Sequence, residues 1–129
     1  MAPRFNEPLF VISVAARLVE MHPQTLRKYE REGLVAPSRT TGNLRLYSDR
    51  DIERLRQVKY LVEERGLNLA GVQIALDMTQ SLLDLRARLA KSLKCVGQSA
   101  DAAGELSASI QHLDRSLSLL GYVPLRDPS

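Results

Sequence analysis

A proline at the head of a short, heavily charged segment constrains this chain more than any other feature. In Met21-His22-Pro23-Gln24-Thr25-Leu26-Arg27-Lys28-Tyr29-Glu30-Arg31, Pro23 suits the first turn of a helix, where its missing N–H would be unbonded in any case. Taking Leu26 and Tyr29 as the buried pair fixes the rotation of that helix. At about 100° per residue, Gln24, Arg27, Lys28 and Arg31 then share the opposite face. An amide and three cations on one exposed face suit major-groove contact: glutamine reads base edges, and arginine reads guanine or clamps a phosphate. A merely solvated helix face has the same composition, so the neighbouring segments decide.

Upstream, Ser13 is a candidate N-cap for a helix from Val14 to about Glu20, with Ala15, Ala16 and Leu18 available for packing. Two short helices joined near Met21 and His22 make a helix-turn-helix. Downstream, Gly33-Leu34-Val35 leaves the second helix and Pro37 blocks its continuation. Ser38 to Tyr47 reads as two short strands around the Gly42-Asn43 turn, with Leu44 and Leu46 on one face and Arg45 and Tyr47 on the other. A β-wing of this kind, carrying Arg39 and Arg45, would lie along a sugar-phosphate backbone.

Ser48-Asp49-Arg50-Asp51 reads as a capping box with Asp51 in the usual glutamate position. A helix with Ile52, Leu55, Val58 and Leu61 or Val62 on one face should follow and end near Gly66. Asn68 can cap a further short helix, Leu69 to Met78, packing through Val72, Ile74 and Leu76. These two helices complete a domain core.

The rest of the chain carries one strong pattern. With Leu82 at heptad position a and Leu85 at d, later a positions hold Leu89, Val96, Ala103, Ile110 and Leu117. Later d positions hold Ser92, Ser99, Leu106, Leu113 and Leu120. Ten of these twelve positions are apolar over 39 residues with no slip of register, a coiled-coil signature. Leu82, Leu85, Leu89, Val96, Leu106, Ile110, Leu113 and Leu117 are therefore the expected dimerisation residues. The middle lacks bulk: Gly97, Ser99, Ala100, Ala102, Ala103 and Gly104. Either the helix breaks there, or a two-fold axis lies near residue 100, where small side chains let antiparallel helices approach. The unbroken register favours the second reading.

Composition and charge agree with a small soluble protein. The 129 residues hold 18 basic and 15 acidic side chains. Residues 1–66 carry twelve Lys or Arg against nine Asp or Glu, whereas residues 67–129 carry six of each. The whole excess thus falls in the half proposed to meet phosphates. No apolar run approaches the roughly 20 residues that cross a bilayer. The first eight residues hold no apolar signal core, so a cytoplasmic location is expected. A single Cys95, with His22 and His112 in different regions, offers no converging metal ligands. No phosphate loop, paired carboxylates or base beside Cys95 points to catalysis, so neither an enzyme nor a cofactor is expected.

The segment Thr25 to Leu34 resembles the recognition-helix motif of the MerR family of transcriptional regulators, and Arg45-Leu46-Tyr47 resembles its wing motif. More narrowly, Val11 to Ala16, Met21 to Arg27 and Gly66 to Val72 are similar to the heat-shock repressor branch of that family. The likeness spans about residues 10 to 78, and nothing beyond residue 80 carries it. It implies a winged helix-turn-helix DNA-binding domain (10–78), and with the heptad pattern the expectation is a mainly α chain: a flexible arm (1–9), that domain, a long dimerisation helix forming an antiparallel coiled coil (79–120) and an extended tail (121–129). Gln24, Thr25, Arg27, Lys28, Arg31, Arg39, Arg45 and Tyr47 would then contact double-stranded DNA. A homodimer would match a two-fold symmetric operator.

The branch resemblance also implies the Hsp70-type chaperone DnaK as co-repressor. The tail Tyr122-Val123-Pro124-Leu125-Arg126, apolar and then basic, has the character of a chaperone-binding peptide, although a strip packing back on the coil fits it too. The expected function is repression of heat-shock or chaperone genes. The alternative is a DNA-architectural or excisionase-like accessory protein, which uses the same winged fold.

Overall fold

The computed structural model describes residues 6–97 and 100–124. In chain order these form β1 (Phe10–Val11), α1 (Ile12–Val19), α2 (Pro23–Arg31), β2 (Ser38–Arg39), β3 (Arg45–Tyr47), α3 (Asp49–Lys59), a π-helical turn (Tyr60–Glu64) prolonging α3, α4 (Leu69–Cys95) and α5 (Ala100–Leu119). Apolar side chains from α1 through the first turns of α4 meet in one core. Ala15, Leu26, Tyr47, Leu55, Val58 and Val72 are completely shielded at its centre.

Where sequence periodicity is clear, the elements follow it. Leu26 and Tyr29 turn α2 inward. Ser48 and Asp51 close a reciprocal capping box on α3, and the Asn68 side chain accepts from the Gly71 N–H at the head of α4. Other details differ. α1 begins at Ile12 and Ser13 does not cap it; Val11 holds the cap position with no side-chain bond. The cause is β1, which pairs antiparallel with β3 (Phe10 with Tyr47, Val11 with Leu46) and delivers the chain directly into the helix. Val19, not the exposed Leu18, then faces the core, and on α4 Ala75 replaces the exposed Ile74.

The expected single helix over 79–120 is instead two. α4 runs through the proposed boundary at 78 and stops at Cys95, and α5 starts at Ala100. Gly97 has φ +63°, a left-handed backbone that no continuous α-helix contains and that glycine adopts without penalty. The two helices pack on each other as an antiparallel hairpin, joined by Arg86 to Asp114 at 2.6 Å. The far end of α5 returns to the first domain. Gln57, buried in α3, donates from Nε2 to both the Thr79 hydroxyl (2.7 Å) and the Leu120 carbonyl (3.0 Å). Gly121, at φ +80°, lies so close to the Tyr60 ring that a Cβ would run into it.

Candidate nucleic-acid interface

Short range governs the start of α2. Pro23 occupies the first turn, and the ring of His22 caps it, its Nδ1 accepting from the Gln24 N–H at 3.0 Å. An acceptor at Nδ1 leaves Nε2–H as the donor of the neutral ring. With Leu26 and Tyr29 buried, Gln24, Lys28 and Arg31 stand exposed on the outer face. Arg27 and Thr25 flank them, half-buried. Burial, and after it the charges of Glu63 and Glu32, pushes the Tyr29 hydroxyl above its ordinary pKa, in keeping with a packing role.

Beside this face lies the β2–β3 hairpin. Ser38 pairs with Leu46 and Arg39 with Arg45, around a turn held by the Thr40 and Leu44 backbones at 3.0 Å. Asn43, at φ +64°, supplies the left-handed residue of the turn. The hairpin is tied to α2 by one carboxylate. Glu30 accepts from Arg45 Nε at 2.5 Å and from Arg39 Nη2 at 2.9 Å. Arg39 also donates to the carbonyl and side-chain oxygens of Asn43. Burial alone would raise the Glu30 pKa; hydrogen bonds from Arg45 and Arg39 outweigh it and hold the carboxyl below its usual range.

Among the residues expected to touch DNA, Gln24, Thr25, Arg27, Lys28 and Arg31 lie on α2, and Arg39 and Arg45 lie on the hairpin that Glu30 ties to that helix. Tyr47 does not belong with them. It is fully shielded, and its hydroxyl has no hydrogen-bond partner among the described residues. Burial, with the Glu30 charge next, raises its pKa. Alternation correctly places Arg45 and Tyr47 on one strand face, but that face turns toward the core, and Arg45 escapes only by reaching Glu30. Sequence reasoning misses Glu30 as well. It stands four residues after the buried Leu26, on the inner stripe of α2, where a carboxylate requires a cationic partner. It also misses Arg54, whose Nε donates to the Leu34 carbonyl and fixes the chain leaving α2; burial lowers the Arg54 pKa.

The expected dimerisation residues divide in the same way. Leu113 and Leu117 are buried between the hairpin helices, while Leu82, Leu89, Val96, Leu106 and Ile110 are half-buried there. Leu85 is 44% exposed and lines an open cleft with Leu89 of α4 and His112 and Leu113 of α5. Cys95 is an exposed free thiol. No grouping of His, Cys, Asp and Glu among the described residues fits a metal ion, and no described helix is long and apolar enough to cross a membrane.

A helix-turn-helix with an exposed polar helix and an adjoining basic hairpin defines a class of DNA-binding regulators. A family model described as "MerR HTH family regulatory protein" matches residues 10–79, more than half of the chain. Over 96% of its length the chain is 42% identical to a Streptomyces coelicolor protein named as heat shock protein HspR, covering 82% of that relative. It is 38% identical to the transcriptional regulator GlnR of Bacillus anthracis over 60% of each chain. With the transcriptional regulator MlrA of Escherichia coli it shares 38% identity over 53% of this chain and 28% of that one. The chain belongs to the MerR family of DNA-binding helix-turn-helix transcription regulators.

Proposed function

We propose that this protein is a homodimeric, sequence-specific repressor of heat-shock or chaperone genes. The carrying observation is the shared exposed face of Gln24, Lys28 and Arg31, flanked by Arg27. Gln24 and Arg27 read base edges in the major groove, Lys28 and Arg31 meet phosphates, and the β2–β3 hairpin acts as a wing whose Arg39 and Arg45 follow the flanking backbone. The heat-shock assignment rests on the likeness to the Streptomyces HspR over nearly the whole chain. Footprinting on the chain's own promoter and on chaperone promoters tests it. A symmetric protected site is expected, with Gln24→Ala or Arg27→Ala losing about 1–3 kcal/mol there if either makes a bidentate base contact. Unchanged affinity in both variants, or an asymmetric footprint, would count against the reading.

The dimer arises by exchange of α5. Arg86 pairs with Asp114, and the midpoint of those two positions is residue 100. A two-fold axis at that residue would therefore repeat between two chains the contacts that the hairpin makes within one. Straightening the backbone at Gly97 turns the hairpin into one helix of an antiparallel coiled coil, consistent with the unbroken heptad register. Such a dimer presents two recognition helices to a two-fold symmetric operator.

DnaK acts as co-repressor through the tail. Tyr122 is not free for this role, because its hydroxyl is bonded to Glu53, whereas Val123 is exposed; Leu125 and Arg126 lie outside the described residues. Deleting Val123 to Ser129 removes the peptide without disturbing the Tyr122 contact. Loss of any DnaK-dependent gain in operator binding is expected, and an undiminished gain would exclude the tail.

A further inference from the structure

We propose that Glu30 is an internal counter-ion that competes with DNA phosphates for the two hairpin arginines and so suppresses non-specific binding. The inference rests on the DNA-binding reading above. One carboxylate holds both Arg39 and Arg45. The side chains of Gln24, Arg27, Lys28 and Arg31 have no such hydrogen-bonded or ionic partner among the described residues. The cations of α2 and the β2–β3 hairpin therefore fall into two sets, one free to meet phosphate and one already paired with a carboxylate that offsets part of its charge. Glu30, Arg39 and Arg45 retain between 21% and 34% of their side-chain exposure, so a phosphate can approach them without unfolding anything.

A phosphate that takes either arginine must break or share its bond to Glu30, and the carboxylate stays on the recognition helix, close to the phosphate's own charge. Random-sequence binding is almost wholly electrostatic, so this penalty falls on it undiminished. At the operator, base contacts from the same helix offset the penalty. There the two bonds from Glu30 have a second use, since they hold the hairpin at a fixed distance from the helix that reads the sequence.

The test is Glu30→Gln in the full-length chain, titrated against random-sequence and operator duplexes over a range of salt. Each phosphate contact contributes about 0.9 to the slope of log K against log salt. The variant should steepen the non-specific slope by about one to two units per chain and bind random duplex about three- to ten-fold more tightly at low salt. Its operator-to-random ratio should fall. A second measurement protects against a merely structural effect. Replacing both arginines (Arg39→Gln with Arg45→Gln) should flatten the non-specific slope less when Glu30 is present than when it is absent. In the Glu30→Gln background it should remove the added one to two units.

Wild-type slope and random-duplex affinity in Glu30→Gln would overturn the assignment. So would an equal effect of the arginine pair in both backgrounds. A wild-type chain that binds no duplex of any sequence would overturn the DNA-binding reading itself, which separates the two failures.

Discussion

Gly97→Ala reads the bend between α4 and α5 through the sign of its effects. In the hairpin Gly97 sits at φ +63°, and no atom lies within 4 Å of the point where a Cβ would stand. The substitution therefore meets no steric obstacle, and its effect is conformational. Alanine in a left-handed backbone costs about 1–2 kcal/mol. In a straight helix the same substitution stabilises by about 1 kcal/mol. The equilibrium between the closed monomer and the proposed exchanged dimer should therefore shift by about 2–3 kcal/mol per chain. For two chains that is about 4–6 kcal/mol, a dimerisation constant tighter by about a thousand-fold or more.

Sedimentation equilibrium across a wide concentration range reads the second quantity, and urea unfolding at concentrations where the chain is monomeric reads the first. Gly104→Ala is the control. Gly104 lies within α5 in open space and is helical in both forms, so alanine there should stabilise both alike and leave their balance unchanged. A Gly97→Ala monomer more stable than wild type would refute the bend. A destabilised monomer with unaltered self-association would refute the exchange and leave packing of intact hairpins as the dimer contact.

Two further outcomes follow from local geometry. Ser48→Ala removes one half of the capping box on α3 and should lower stability by about 0.5–2 kcal/mol in urea unfolding; no loss would mean that Asp51 alone satisfies the helix start. The Tyr122 hydroxyl is pushed up to about 12 by burial first, then by the charge of Glu53 and their hydrogen bond. The unfolded chain releases this proton near the ordinary value of 10, so the contribution is complete below pH 10 and is lost as pH rises from 10 to about 12. Tyr122→Phe should flatten that part of the stability profile, and an unaltered alkaline arm would place the hydroxyl in solvent.

Legibility in the sequence follows the range of the forces involved. The α2 helix is readable because Pro23, Leu26 and Tyr29 fix its start and rotation within about two turns. The caps at Ser48 and Asn68 are readable for the same reason. Tyr47 is misread because period-two alternation says which residues share a strand face, and only the third strand, β1, decides which face turns inward. Glu30 escapes notice although its position on the inner stripe of α2 signals a cationic partner. The hairpin is hidden by a degeneracy: two antiparallel arms each need an apolar stripe, so a heptad pattern in phase across the turn describes a rod and a folded pair equally well. Only Gly97 distinguishes them, and in a sequence a lone glycine reads as a tolerable defect.

The buried amide of Gln57 shows how the two halves of the chain are coupled. A polar group in a core is tolerated only when its hydrogen bonds are satisfied. The partners of Gln57 come from α4 (Thr79) and from the carbonyl of Leu120 just beyond α5. Thr79 in turn donates to the Ala75 carbonyl. Removing the end of α5 would leave the amide with one partner fewer and expose the Tyr60 ring against which Gly121 lies. The first domain therefore carries a shaped receptor for the end of α5 and fixes the direction in which that helix can approach. In an exchanged dimer the receptor of each chain would hold the α5 of the other. The separation of the two recognition helices would then be set by the length of α4 and α5 together and by this docking at each end. A Gln57→Leu variant, which cannot bond the Leu120 carbonyl, should loosen that separation before it unfolds the domain. It would bind half-sites with near wild-type affinity while losing discrimination between operators of different half-site spacing. Spacing preference unchanged from wild type would mean that the coil alone sets the distance.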